Sequence, residues 1–466
     1  MKNKEYNFTF LLKISLISAM GGLLFGYDFV VIGGAKPFYE RFFEITSSAN
    51  QQAWAMSSAL IGCVLGAIIS GFVSDRYGRK KTLLSCAFLF VVTSLGTGLA
   101  GNFDIFICFR IFGGIGIGLA SAISPMYIAE VTPSNFRGRF VSLNQMTIVI
   151  GILLAQIVNL LIAEKVPVGA SDQFIAASWN GQMGWRWMFW ACGIPAILFF
   201  LFAFFIPESP RWLMKVGKPE AALPVLEKIG GNQYADREMI NIKASFDDVS
   251  EKVNFKALLN PVYFPILIIG VVLAVFQQWC GINTVFNYAE EIFTAAGYGV
   301  SDTLFNIVVT GSVNLIFTFV AMFSVDKWGR KKLMVFGSIG LTLNFLLLGS
   351  AFFFQLKGIA VLTLVVTAIA IYAMSLAPIV WVILSEIFPN RIRGAAMALA
   401  TFSLWTACFV LTYTFPLLNK SLGAAGTFWV YSGVCLLGFI FIMIKLPETK
   451  GKSLEEIENI LLNNKK

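Results

Sequence analysis

Long apolar runs alternate with short polar breaks along this chain, and the pattern predicts twelve membrane-crossing helices. The runs lie near 9–33, 53–74, 82–101, 104–130, 140–163, 185–206, 262–293, 303–325, 333–353, 358–388, 395–418 and 425–446. Each holds roughly 20 residues, enough for a helix to cross the hydrocarbon core of a bilayer. One long polar stretch, 207–261, interrupts the series after the sixth run. Within it, Pro219 to Ile229 keeps helical spacing up to Gly230-Gly231, and further short helices fit around 236–250. The stretch reads as a helical plate, either a spacer or a gating element. The expected fold is therefore an all-α membrane protein. It has a six-helix lobe at 1–206, a helical linker at 207–261, a second six-helix lobe at 262–447 and a tail at 448–466.

The polar breaks repeat. Asp75-Arg76-Tyr77-Gly78-Arg79-Lys80-Lys81 returns as Asp326-Lys327-Trp328-Gly329-Arg330-Lys331-Lys332. Glu130, Pro133 and Arg137-Gly138 return as Glu386, Pro389 and Arg393-Gly394, and Pro207-Glu208-Ser209 returns as Pro447-Glu448-Thr449. Two copies of one unit in a membrane chain point to a transporter. The charges of the repeat suggest a cytoplasmic lock, Asp75, Arg79, Glu130 and Arg137 set against Asp326, Arg330, Glu386 and Arg393. Such pairs form in one state and break in another. The plainer reading is that the basic residues only hold these loops on one side; the acidic partners in both copies favour the lock.

Composition narrows the class. The chain is 57% hydrophobic and 13% charged, against about 25% charged in soluble domains. Its net charge of +9 is spread over alternate loops: four basic residues at 76–81, two at 137–139, eight from Arg211 to Lys256, four at 327–332 and two at 391–393. That alternation is the positive-inside pattern, which puts both termini and the 207–261 stretch in the cytoplasm. A nucleic-acid binder would gather its charge on one soluble face. The first run is too long for a signal-peptide core, so it reads as an uncleaved helix. The seven cysteines lie in apolar runs without a C-x-x-C, and histidine is absent, which argues against metal and disulfide roles. No cofactor is implied.

Phe25-Gly26-Tyr27-Asp28, the paired basic turns, Pro207-Glu208-Ser209-Pro210-Arg211-Trp212, Phe276-Gln277-Gln278-x-x-Gly281-Ile282-Asn283 and Pro447-Glu448-Thr449-Lys450-Gly451 follow one another in order. In these motifs the chain resembles the sugar-porter branch of the major facilitator superfamily, most of all its bacterial D-xylose:proton symporters and more distantly the human facilitative glucose transporters. The resemblance implies two six-helix lobes, a central sugar site, alternating access and a helical intracellular plate.

A sugar site can also be argued from the residues. Sugar hydroxyls donate and accept together, as amides do, and an indole covers an apolar sugar face. Gln277, Gln278 and Asn283 surround Gly281, which can interrupt a helix and free backbone groups at membrane depth. Gln145, Asn314, Trp381 and Trp405 lie in other runs, and the resemblance places all seven in the family's sugar pocket. Amides also glue membrane helices together, and for Asn314 alone that reading is equally good. Ile152 and Leu404 stand where the xylose symporters hold glutamine, and Asn287 where they hold a tyrosine, so a hexose or another pentose fits as well as D-xylose.

Asp28 is a carboxylate inside an apolar helix, which costs about 2.5–3.5 kcal/mol on insertion scales and marks function by default. Arg110 is its expected partner. The resemblance implies the proton-coupling pair of the symporters, since the uniporters carry asparagine at the aspartate; a static packing pair is the alternative. Gly113-Gly114-Ile115-Gly116-Ile117-Gly118 looks like a dinucleotide loop, but no strand precedes it. It reads as a helix-packing face, as do Gly62, Gly66 and Ser70. Glu290 and Glu291, near a helix end, read as solvated. No catalytic set and no P-loop occurs. The expectation is a monomeric, proton-coupled monosaccharide symporter of the bacterial cytoplasmic membrane, in contact with lipid and not an enzyme. A uniporter is the alternative, and a sensor is disfavoured by the short tail.

Overall fold

The computed structural model describes residues 6–167, 169–247, 258, 260–389, 392–450 and 456, leaving out the side chains of 245–247, 325 and 326. Among the described residues there is no strand. The first half contains α1 (Phe8–Phe42), α2 (Ala49–Tyr77), α3 (Arg79–Leu99), α4 (Phe103–Val131), α5 (Arg137–Ile162), the short α6 (Asp172–Ala177) and α7 (Trp185–Ala203), which a π-helical turn introduces. The polar stretch forms α8 (Pro210–Lys215) and α9 (Pro219–Asp247). The second half contains α10 (Phe264–Trp279), α11 (Ile282–Asn287), α12 (Ala289–Ala295), α13 (Val300–Trp328), α14 (Arg330–Phe353), α15 (Ile359–Met374), α16 (Leu376–Ile387) and α17 (Arg393–Lys445).

Among the described residues, eleven helical runs are long and apolar enough to cross a membrane. The last, α17, loses its helical path at Gly423 (φ 67°, ψ 174°), so it holds two crossings and all twelve predicted runs appear. The seventh run is not continuous. Gly281, with φ 89°, ends α10 in a left-handed turn that a side chain would strain, and Tyr288 separates α11 from α12. The tenth run also breaks, at Ser375 (φ −125°, ψ −87°) between α15 and α16. In the polar stretch, Gly230 and Gly231 divide α9 where the sequence suggested, and Leu226, Ala235 and Ile242 form a small core with Met214, Leu223, Tyr234 and Met239 around it.

The described residues fall into two compact units. Unit 1 draws on Met1–Phe29, Gly62–Ile152 and Phe189–Lys252, and unit 2 on Val30–Ile61, Leu153–Met188 and Val253–Lys466. The divide cuts through α1, α2, α5 and α7 rather than between helices. Unit 2 therefore combines the ends of these four helices with the second half of the chain.

Each unit contains one copy of the basic turn, built alike. Gly78 (φ 93°, ψ 166°) turns the chain sharply from α2 into α3, and the Glu208 carboxylate fills the space a Cβ would need. Glu208 accepts the N–H of Arg79 at 2.8 Å and that of Lys80 at 3.1 Å. In unit 2, Gly329 (φ 89°, ψ 160°) turns α13 into α14, and Glu448 accepts the N–H of Arg330 at 2.9 Å and of Lys331 at 3.2 Å. The first N–H groups of a helix have no partner of their own and carry the positive end of its dipole, so a distant carboxylate caps each helix. Burial pushes the Glu208 carboxyl above the usual carboxylate range, while the N–H groups it accepts and Arg79 pull it back. Glu208→Ala and Glu448→Ala should each cost about 0.5–2 kcal/mol, the range for losing a helix cap. That loss would appear as a lower thermal midpoint in detergent; an unchanged midpoint in both would remove the capping role.

Candidate functional site: a buried ion pair and a set of membrane amides

Asp28 and Arg110 meet inside unit 1. Arg110 Nη1 donates to both Asp28 carboxylate oxygens at 3.1 Å, and the two residues are only 6% and 2% exposed. The guanidinium carbon lies 5.7 Å from the centre of the Phe189 ring, while its Nε has no hydrogen-bond partner. Gly113, one turn along α4 from Arg110, faces Thr93 and Asp28, where a Cβ would lie 3.8 Å from Asp28 Oδ2. The glycine run read as a packing face does pack: a Cβ at Gly118 would overlap the Cys63 carbonyl of α2, and one at Gly62 the Ile111 carbonyl of α4. Close approach of α2 to α4 thus belongs to the same helix that carries Arg110. A carboxylate in this setting has two ways to be satisfied, its arginine or a proton, and exchanging one for the other changes the charge of the core.

Three of the amides, Gln277, Gln278 and Asn283, lie on the broken seventh run in unit 2. Asn283 donates to Gln278 Oε1 and, at 3.7 Å, to Cys408 Sγ of α17. Gln277 Nε2 donates to the carbonyls of Leu376 at 3.1 Å and Ala377 at 2.9 Å, where α15 gives way to α16. Its donors are thus committed to backbone, and its buried Oε1 has no partner. Asn314 on α13 and Trp405 on α17 are buried, whereas Trp381 on α16 is 38% exposed. Gln145, half-buried on α5, belongs to unit 1. At the positions that depart from the xylose-symporter pattern, Leu404 is buried, Ile152 is half-buried, and Asn287 is buried with its Oδ1 unpartnered.

Sequence reasoning missed Gln156. It lies one turn beyond Ile152 on α5, is 1% exposed, and neither atom of its amide has a hydrogen-bond partner. Its Oε1 presses on Gly311 of α13, one turn from Asn314. The test applied to Gln145, an amide in an apolar run, would have found it.

The described charges of the basic turns pair within each copy. In unit 1, Arg79 bonds Glu130 at 3.0 Å and Asp75 at 3.1 Å, Lys215 of α8 bonds Asp75 at 2.8 Å, and Arg137 Nε donates to the Ala129 carbonyl at 3.0 Å. In unit 2, Arg330 bonds Glu386 at 3.1 Å and Arg393 Nε donates to the Phe388 carbonyl at 3.0 Å. The side chain of Asp326 lies outside the described residues. The repeated Glu208 and Glu448 have a role that their sequence pattern does not reveal: their capping joins the repeat motifs together.

One expectation needs correction. Glu290 and Glu291 are not solvated: their side chains are 13% and 24% exposed, and both bond Lys36 of α1. The lysine from the other half of the sequence draws them inward.

The chain matches known proteins along nearly its whole length. The profile of the family described as "Sugar (and other) transporter" matches residues 14–461. The D-xylose-proton symporter of Escherichia coli (strain K12) is 39% identical, with 98% of this chain and 96% of that protein aligned. The arabinose-proton symporter of Bacillus subtilis (strain 168) is 37% identical over the same shares. The inward-open conformation of the xylose transporter XylE from E. coli superposes with a TM-score of 0.84 at 38% identity, covering 97% of this chain and 99% of that one. Twelve apolar crossings, a doubled basic turn and a buried Asp–Arg pair thus stand beside likeness in sequence and in fold. The chain belongs to the sugar (and other) transporter family, as a multi-pass membrane protein of the major facilitator fold.

Proposed function

We propose that this protein is a proton-coupled monosaccharide symporter that works by alternating access in the bacterial cytoplasmic membrane. The observation that carries the reading is the buried Asp28–Arg110 pair. A transporter that only let sugar equilibrate would have no need of a titratable pair at membrane depth. The relatives whose names give a coupling ion, a D-xylose-proton and an arabinose-proton symporter, support the same reading. A proton reaching Asp28 neutralises the carboxylate, releases Arg110, and permits the change of state that carries sugar across. One proton moving down 100 mV supplies about 2.3 kcal/mol, enough for roughly fifty-fold accumulation.

Sugar is bound by Gln278, Asn283, Asn314, Trp381 and Trp405, with Gln145 from α5 and the free Oε1 of Gln277. Ile152, Leu404 and Asn287 change the polarity around these groups, so the sugar is a pentose or a hexose and not necessarily D-xylose. The halves 1–206 and 262–447 act as the two moving lobes, with 207–261 as a plate and 448–466 as a tail. Positive loops keep both termini in the cytoplasm. Asp75, Arg79, Glu130 and Arg137, and their counterparts Asp326, Arg330, Glu386 and Arg393, form the cytoplasmic gate. One chain contains every group named, so a monomer suffices.

Proteoliposomes with an inward proton gradient should accumulate labelled D-xylose or arabinose, and without the gradient should only equilibrate it. Equilibration under both conditions would identify a uniporter. Asp28→Asn should keep sugar counterflow and lose gradient-driven accumulation; loss of sugar binding itself would instead make Asp28 a packing residue. Gln278→Ala and Trp381→Ala should weaken sugar binding about 5- to 30-fold, the equivalent of about 1–2 kcal/mol of lost contact. Unchanged affinity in both, read by calorimetry, would remove the proposed pocket.

A further inference from the structure

Lys36 is a buried cation that the mechanism above does not use. It lies on α1, two turns beyond Asp28, and is 1% exposed. Its Nζ is 2.6 Å from Glu291, 3.0 Å from Glu40 and 3.4 Å from Glu290. Gln52 of α2 donates to Glu40 Oε2 at 3.1 Å. Glu40 is on the same helix as Lys36, but Glu290 and Glu291 open α12, the short segment that follows the breaks at Gly281 and Tyr288. Two of the three carboxylates therefore sit on a segment that the helix breaks set apart from α10.

Three features make this more than a static pair. First, α1 is brought close by design: a Cβ at Gly33 would lie 3.1 Å from the Phe286 carbonyl, and one at Gly34 would overlap the Asn159 amide of α5. Second, the repeat motifs recur at offsets near 250, and the offset of 255 that pairs Gly26 with Gly281 also pairs Lys36 with Glu291. Opposite charges then stand at matching positions of the two copies and bind each other within unit 2. Third, a cavity of about 390 Å³ adjoins the cluster, lined by Gln52, Asp172, Asn419 and Lys420 among others, and gives water a way to the four charges. Other ties between the two halves of the sequence lie within unit 2: Tyr413 bonds Asn50, and the Val166 N–H donates to Ser301 Oγ at 3.1 Å.

We propose that Lys36, with Glu40, Glu290 and Glu291, is a charge latch that ties the end of α1 to α12, holds the transporter shut on that side and opens once in each cycle. The proposal rests on the alternating-access reading. Closed, the lysine balances carboxylates that would otherwise repel one another in a poorly hydrated site; open, water takes its place. Removing the lysine leaves three neighbouring carboxylates without the cation that balances them in the closed state and carries little penalty in the open one, so the balance shifts toward open.

The test is the distance between spin labels at Ser47→Cys and Ser421→Cys, both exposed positions, after replacing the exposed native Cys108. Lys36→Met should raise the ratio of long to short distances about tenfold or more, about 1.4 kcal/mol. Lys36→Arg should keep the parent distribution. Glu290→Gln with Glu291→Gln should raise the ratio, and adding Lys36→Met to that pair should shift it less than it shifts the parent. An unchanged distribution in Lys36→Met, or the same shift with and without the glutamates, would overturn the latch. If Lys36→Met does not fold, the glutamine pair decides alone: parent-like distances refute the latch. These distances do not depend on a proton gradient. A parent protein that fails to accumulate sugar but responds to Lys36→Met would refute the coupling and keep the latch.

Discussion

A carboxylate and a guanidinium, 3.1 Å apart and almost wholly buried, set the terms for the rest of unit 1. Leaving either charge there without the other would cost several kcal/mol, about 3–5 by analogy with broken buried pairs. The glycines of α4 let α2 approach, Gly113 leaves room at the carboxylate, and Phe189 covers the guanidinium face. The same cost makes the pair responsive. A proton on Asp28 cancels the charge that holds Arg110, and in a poorly polarisable core that change is felt strongly.

The repeat supplies the frame around this chemistry, and its departures supply the function. Both copies use a glycine turn, a helix capped by a distant glutamate and an arginine bonded to a second glutamate. Beyond the turns the copies diverge. Asp28 corresponds to Asn283, so one copy offers a titratable group where the other offers an amide. Gly26 lets α1 lie against the Ile148 carbonyl of α5, while the corresponding Gly281 breaks a helix. Lys36 corresponds to Glu291 and binds it. A symmetric scaffold thus carries an asymmetric set of charges, as the proposed coupling of sugar to proton would use.

The sequence made much of this legible. Apolar runs located all twelve crossings because membrane helices must be long and apolar, and glycines marked the breaks at Gly230-Gly231 and Gly281. Ser375 was not legible as a break, since a serine in an apolar run interrupts neither hydropathy nor periodicity. The Asp28–Arg110 pair was readable because charges are rare at that depth. The burial of Glu290 and Glu291 was not, because a charge near a helix end ordinarily meets water. What drew them inward is a lysine more than 250 residues away, which no local pattern reports. The allegiance of Gln277 was equally hidden: its amide donates to the carbonyls of Leu376 and Ala377 just after the Ser375 break, so part of a polar face predicted for sugar also serves the backbone.

In the proposed cycle, sugar and proton cross together because Asp28 exchanges Arg110 for a proton. Its most direct measurement is the pH of a weakly buffered suspension of cells producing the protein, followed as a transported sugar is added. Proton-coupled entry gives a sugar-dependent rise in external pH that Asp28→Asn abolishes while sugar exchange continues. Sugar entry with no change in external pH, or an equal rise in the Asp28→Asn protein, would contradict it.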